Sequence, residues 1–150
     1  MENFSLIVQS TRLVHKDFVS LIESMESCFS DIYFLHIDDS HPNKILKHNK
    51  KVHYIDVKRN NMDNRFDKFL CFWKEISVLS QNMNSKQAVI IRADFYIDPL
   101  EFYKILEIKK SLLLLNNYSL PHIPFIGRYF LKGHIFDGFI RADKELIKNL

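Results

Sequence analysis

Short apolar runs alternate with helical patterns along this chain, and that alternation limits the folds it can adopt. Five runs have the length and composition of buried strands, at residues 4–9, 31–37, 52–57, 88–91 and 112–115. Helical spacing or helix start signals mark residues 15–29, 65–83, the segment beginning at Pro99 with Asp98 as its cap, and 143–150. Strands that alternate with helices predict an α/β fold, with a mostly parallel sheet flanked by helices.

The composition excludes several classes of protein. The chain has 150 residues, of which 47% are hydrophobic and 26% charged, so we expect residues 1–150 to form a single domain. No run approaches the ~20 apolar residues of a membrane-spanning helix, and the N-terminus has no secretory signal pattern. Cys28 and Cys71 have no paired spacing, which excludes a disulfide scaffold and favours a reducing, cytoplasmic compartment. The net charge of +3 does not call for a nucleic-acid partner.

Glycine usage narrows the nucleotide-binding folds further. The three glycines, Gly127, Gly133 and Gly138, all lie in the last quarter of the chain. A P-loop or a dinucleotide fingerprint needs several glycines directly after an early strand, because they let the backbone approach a phosphate. The chain is therefore predicted to be neither a P-loop NTPase nor an ordinary nicotinamide dehydrogenase.

Polar side chains directly follow four of the predicted strands. They are Ser10, Thr11 and Arg12 after the first strand, Asp38 and Asp39 after the second, Lys58 and Arg59 after the third, and Arg92 and Asp94 after the fourth. The carboxyl ends of parallel strands share one edge, and ligands of α/β sheets bind beyond that edge. We therefore expect these residues to converge on a site.

The segment IIRADFY suits chemistry on phosphate groups. The carboxylate of Asp94 could hold a divalent cation that neutralises a diphosphate leaving group. The guanidinium of Arg92 could neutralise the same charge without a metal, because its planar fork matches phosphate geometry. A local ion pair between the two residues, which would stabilise the strand end only slightly, is the third interpretation. The spacing of the residues leaves all three open.

Two further acidic segments each have a functional and a local interpretation. Asp38 or Asp39 can accept hydrogen bonds from a ribose or a base, although Asp, Ser and Pro in HIDDSHP also favour a plain turn. Asp137 stands next to Gly138 among aromatic residues, where a partly desolvated carboxylate can act as a general base. It could equally satisfy backbone donors of a turn.

The order of these segments resembles glycosyltransferases with the nucleotide-sugar-binding GT-A fold. The core-2/I-branching type has an H-x-D segment, a basic segment before a long helix, and an Asp-containing strand end followed by Pro. The residues that match this layout here are His36, Asp38, Arg59, Asp94 and Pro99. The WavE-like lipopolysaccharide-synthesis family is similar in the second half, matched here by Asn61, Arg65, Arg92, Asp94 and Asp137.

The resemblance implies a Rossmann-like GT-A domain that transfers a sugar from a nucleotide-sugar donor to a saccharide or lipid-linked acceptor. The pathway implied is the synthesis of surface polysaccharide or lipooligosaccharide, with peripheral contact at the inner membrane. Nucleotide-binding residues would be Thr11, Arg12, Asp38, Asp39, Arg59 and Arg65. Arg92 and Asp94 would hold the diphosphate, the latter as ligand of Mg²⁺ or Mn²⁺, and Asp137 would deprotonate the acceptor hydroxyl.

Two departures from the family pattern leave other hypotheses about the function open. R-x-D stands where D-x-D is common, so a metal-independent reaction stays an alternative. The chain is short for this fold, so we expect a minimal or truncated domain. Both features favour the rival hypothesis of a non-catalytic α/β module that binds a partner within a complex. A nucleotidyltransferase is a further rival, although that class normally has the glycine-rich early loop that this sequence lacks.

Overall fold

The computed structural model describes residues 4–10, 14, 16–37, 50–59, 65–94, 98–107, 112–114 and 139–148. The strands are β1 (Phe4–Ser10), β2 (Phe29–His36), β3 (Val52–Asp56), β4 (Gln87–Arg92), β5 (Leu112–Leu114) and β6 (Phe139–Asp143). The helices are α1 (Phe18–Ser24), α2 (Arg65–Asn82), α3 (Pro99–Glu107) and α4 (Lys144–Lys148), with a 3₁₀ turn at Glu26–Cys28. None of the helices in these ranges combines the length and apolar character needed to cross a membrane.

The strands form one sheet in the order β3-β2-β1-β4-β6-β5. β1 pairs in parallel with β2 and β4, and β2 pairs in parallel with β3. β6 runs antiparallel to both of its neighbours, β4 and β5. Together with the helices on its faces, this sheet confirms the α/β class with a mostly parallel sheet.

The core has two layers, one on each face of the sheet. On the α1/α3 face, Leu6 and Val8 of β1 pack with Phe18 and Ile22 of α1 and with Phe102 of α3. The α2/α4 face is built from alternate strand residues and the two other helices, namely Ile7, Leu35, Ile90, Phe72, Ile76 and Ile147. The alternation follows from the two-residue period of a strand, and it covers both faces as parallel sheets require.

The sequence located most of these elements, and the structure corrects three of them. The helix predicted over 15–29 ends at Ser24, because Phe29 adopts an extended backbone and pairs with Phe4 at the start of β2. β6 was not predicted, and the final helix begins at Lys144 because Asp143 still belongs to that strand. The predicted cap of α3 is confirmed, since the backbone N–H of Leu100 donates to Oδ1 of Asp98 at 3.0 Å.

Phe34 tests the α1/α3 layer of the core. Its side chain is fully buried, with ring centroids 6.2 Å from Phe18 and 5.7 Å from Tyr54. We expect Phe34→Ala to lower the free energy of unfolding by about 3–5 kcal/mol, because the change removes apolar contacts and leaves a cavity. Urea denaturation measures this loss. Leu100→Ala, at a side chain that is 71% exposed, is the control and should stay within about 0.5 kcal/mol of the wild type.

Tyr33 should give the protein an alkaline stability limit. Burial first, and then the negative charge of Asp31, raise the pKa of the Tyr33 phenol. Above the ordinary value of about 10 the unfolded chain ionises before the folded one, so stability falls as the pH rises, while below it this group has no effect. Thermal melts between about pH 9 and 11 should show a smaller decline in Tm for Tyr33→Phe. An identical decline in the two proteins would contradict the assignment.

Candidate functional site

The strand order reverses direction at β1, which creates a topological switch point between β1 and β4. From β1 the chain runs outward to β2 and β3, and then crosses back to β4 on the other side of β1. Ligands of α/β sheets bind beyond the carboxyl ends of the strands at such a point. Beyond the strand ends, the N–H of Ala93 donates to the carbonyl of Gln9 at 2.9 Å, and that of Ile37 to Ser10 at 3.3 Å. These bonds make the three segments leave the sheet side by side.

Arg92 and Asp94 form a two-pronged ion pair at this edge. Arg92 is the last residue of β4, and its Nε donates to Oδ1 of Asp94 at 2.9 Å while its Nη2 donates to Oδ2 at 2.6 Å. The side chains are 30% and 23% exposed, so the pair sits half-buried where β4 ends. The structure thus brings together the two predicted residues in the geometry of the local ion pair, and that pairing fixes the plane of the guanidinium.

Gln9 is the residue next to this pair that the sequence analysis missed. Gln9 pairs in register with Arg92, where β1 lies beside β4. Gln9 follows Ile7 by two residues and Arg92 follows Ile90 by two, and both isoleucines belong to the α2/α4 layer of the core. Because side chains two residues apart on a strand share a face, Gln9 and Arg92 lie on the α2/α4 face. The Gln9 side chain is 5% exposed, and Nε2 has no hydrogen-bond partner among the residues that the structure describes. The available signal was a polar amide closing the apolar run FSLIV, at the end of the strand that became the centre of the sheet.

His36 ends β2 on the opposite face of the sheet. Its Nδ1 lies 3.7 Å from Oδ1 of Asp56, its register partner at the end of β3. The histidine side chain is 12% exposed and that of Asp56 is 75% exposed. His36 is therefore packed at the strand end beside a solvated carboxylate, rather than positioned next to Arg92.

Two of the predicted nucleotide-binding residues lie along the same edge but apart from Arg92. Arg59 is half-buried just after β3, and two strands separate β3 from β4, which places these backbones about 14 Å apart. Arg65 is the first residue of α2, and its side chain is not among those that the structure describes. Just after the last residue of α2, the side-chain amide of Asn84 donates to Asp31 near the amino end of β2. Because α2 ends at the amino edge of the sheet, it begins at the carboxyl edge.

The remaining predicted site residues, Thr11, Arg12, Asp38, Asp39 and Asp137, lie outside the described residues. The chain segments that carry them join described elements at the carboxyl edge. β1 and β2 end there, at Ser10 and His36. β6 starts there, because it is antiparallel and its first residue, Phe139, pairs with Ile91 near the end of β4. β6 thus begins at the edge that Arg92 occupies.

The described part of this edge does not form a set of metal ligands. Across the described ranges, no three His, Cys, Asp or Glu side chains lie close enough together to hold an ion. Asp94 contributes one carboxylate there, and each of its oxygens accepts a bond from Arg92. Hydrogen-bond donors and charges, rather than a set of metal ligands, therefore characterise the described part of the site.

Comparisons with known proteins find similarity among solved structures but not among family models or curated sequences. No protein-family model matches the chain, and no curated protein sequence matches it. The chain is similar to the crystal structure of glucosyl-3-phosphoglycerate synthase from Mycobacterium tuberculosis in complex with uridine diphosphate, at 15% sequence identity and a TM-score of 0.48. The alignment covers 96% of this chain and 58% of the synthase, so the chain spans little more than half of that protein's length.

Removal of the Asp94 charge should leave the fold intact. The ion pair with Arg92 is partly solvated and local in sequence, and pairs of this kind contribute at most about 1 kcal/mol to stability. We therefore expect Asp94→Asn to shift Tm by no more than roughly 4 °C in thermal melts. Asp98→Ala, which removes the cap of α3, should cost about as much. Cooperative unfolding lost in Asp94→Asn alone would make the pair part of the fold rather than of a site.

Proposed function

We propose that the chain is a glycosyltransferase that binds a nucleotide-sugar donor over the carboxyl edge of its sheet. The observation that carries the proposal is the switch point between β1 and β4, where an oriented guanidinium and a buried amide donor stand side by side. Donors of hydrogen bonds and positive charge at this position suit a phosphate group. The resemblance of the sequence to GT-A glycosyltransferases supports the same assignment.

The nucleotide part of the donor extends from the switch point toward β3. The segments that follow β1, β2 and β3 leave the sheet at one edge, in the order of the strands. A nucleoside diphosphate sugar is long enough to contact several of them at once. In the proposal, Thr11, Arg12, Asp38, Asp39, Arg59 and Arg65 hold the base and the ribose.

Arg92 neutralises the diphosphate as the bond to the sugar breaks. The leaving group gains negative charge in the transition state, and a guanidinium whose plane is already fixed stabilises that charge without reorganising. Asp94 keeps the fork in this orientation. If Mg²⁺ or Mn²⁺ is bound, Asp94 is the residue that would hold it, and the ion would supply further neutralisation of the diphosphate.

Asp137 is the general base of the proposed reaction. The proposal is supported by the position of β6, which begins at the carboxyl edge, and by the sequence, in which Asp137 precedes Phe139 by two residues. The carboxylate takes the proton from an acceptor hydroxyl, whose oxygen attacks the anomeric carbon as the bond to the diphosphate breaks. The acceptor is a saccharide or a glycolipid of surface polysaccharide or lipooligosaccharide synthesis, met in the cytoplasm at the inner membrane.

A thermal-shift panel of UDP-, GDP- and CMP-sugars tests donor binding, each sugar nucleotide with manganese and with a chelator. A ligand at about one hundred times its Kd stabilises the native state by about 2.7 kcal/mol, which predicts a Tm rise of roughly 5–10 °C for one class. Dependence of the shift on manganese would support a metal at Asp94. No shift with any donor would contradict the proposal and favour the non-catalytic binding module.

Slow hydrolysis of the stabilising donor tests catalysis in the same samples. Asp94→Asn and Arg92→Ala should each abolish release of the free sugar, because an oriented guanidinium then no longer compensates the charge on the leaving group. Lys86→Ala is the matched control, since it removes a cation from the opposite edge of the sheet, just before β4 begins. Equal hydrolysis by wild type and Asp94→Asn would contradict the assigned site.

A further inference from the structure

Among the described polar side chains that are more than nine-tenths buried, Gln9 stands out because its Nε2 donor has no acceptor in the described part of the chain. Near the other end of β1, the hydroxyl of Ser5 is equally buried, but it bonds the hydroxyl of Ser85 at 2.6 Å. The amide of Gln87, at the start of β4, donates to Oδ1 of Asp143 at 2.8 Å. Nε2 of Gln9 has no such partner although the side chain is 5% exposed. Buried donors in native proteins are nearly always paired, so an exception needs a physical reason.

The position of Gln9 supplies that reason. It occupies the last-but-one residue of the central strand, at the switch point where ligands bind, and not the amino edge where its paired counterparts lie. Its register partner is Arg92, and neighbouring strands are about 4.8 Å apart, so the two side chains start from adjacent positions on one face. An unpaired amide donor and a guanidinium at this spacing can contact oxygens of one ligand group.

We propose that Gln9 is a specificity-determining residue that donates from Nε2 to an oxygen of the donor's diphosphate. The proposal rests on the proposed function and adds a residue that discriminates diphosphate ligands. A phosphate oxygen is a strong acceptor, and the Arg92 guanidinium beside it offers the compensating charge. A base carbonyl is also an acceptor, but it is neutral, and an anionic phosphate oxygen makes the stronger hydrogen bond to the guanidinium that lies beside Gln9. The ligand-free protein keeps the unfavourable buried donor, and the bound diphosphate satisfies it.

The test compares Gln9→Met with Gln87→Met. Methionine matches the length of glutamine without its donor, so the same chemical change is made at an unpaired and at a paired amide. Gln9→Met should raise the ligand-free Tm by roughly 2 °C or more, because it removes an unsatisfied buried donor. Gln87→Met should not raise Tm, because it removes a bond to Asp143. A merely structural role of Gln9 predicts the opposite sign, namely a fall in Tm for Gln9→Met.

Affinity is then measured by calorimetry for UDP, GDP, their nucleosides and inorganic pyrophosphate. We expect Gln9→Met to weaken binding of the preferred nucleoside diphosphate and of pyrophosphate about tenfold or more, and to leave the nucleoside unaffected. Gln87→Met should bind all of them as the wild type does. Equal weakening of nucleoside and diphosphate would overturn the phosphate assignment and place the contact at the base.

The outcomes separate this inference from the proposed function. Unchanged affinity in Gln9→Met, with a wild type that binds a nucleoside diphosphate, overturns the role of Gln9 and leaves the glycosyltransferase proposal standing. Binding of pyrophosphate that depends on Gln9, in a wild type that hydrolyses no sugar nucleotide, supports Gln9 and overturns the transferase. A wild type that binds neither pyrophosphate nor any nucleotide overturns both.

Discussion

Parallel pairing of β1 with β2 on one side and β4 on the other is the interaction on which the rest of the structure depends. Every residue of β1, Phe4–Ser10, is buried, and its ladder with β4 joins the two paired strands of the sheet that are farthest apart in sequence. Backbone groups at this depth need partners within the sheet, because water cannot reach them. The helices then cover both faces, since a strand buried on both sides leaves apolar residues pointing each way.

The same arrangement creates the candidate site. Because the chain builds outward from β1 to β3 and then places β4 on the other side of β1, the carboxyl ends of β1 and β4 form a topological switch point, the position where α/β sheets bind ligands. Arg92 and Gln9 lie side by side on these neighbouring strands. Arg92 is half-buried and paired with Asp94, whereas Gln9 is buried and its Nε2 has no partner in the described part of the chain. A fold optimised for stability alone would have an apolar residue in place of Gln9. Unsatisfied polar groups in native proteins are commonly kept where function requires them.

Sequence reasoning succeeded where local pattern and tertiary structure agree. The apolar runs of β1, β3 and β4 are both intrinsically strand-like and long enough to pair, and the spacing of α2 matches the face that it buries. It failed at the end of α1, where Phe29 continues the helical spacing of the preceding apolar residues. Pairing of Phe29 with Phe4 and its contact with Phe102 outweigh that spacing, and neither partner is near it in sequence. β6 was missed for the same reason, because its partners lie in β4 and β5.

The sequence by itself determined the α/β class, which depends on local order along the chain, and it offered the Arg92–Asp94 ion pair as one of three interpretations. Only the tertiary structure decided that this pair forms, and that β6 runs antiparallel and begins at the carboxyl edge. It also decided that Gln9 stands beside Arg92 with a buried donor. Register between strands more than eighty residues apart depends on packing of the whole sheet, which no local spacing encodes.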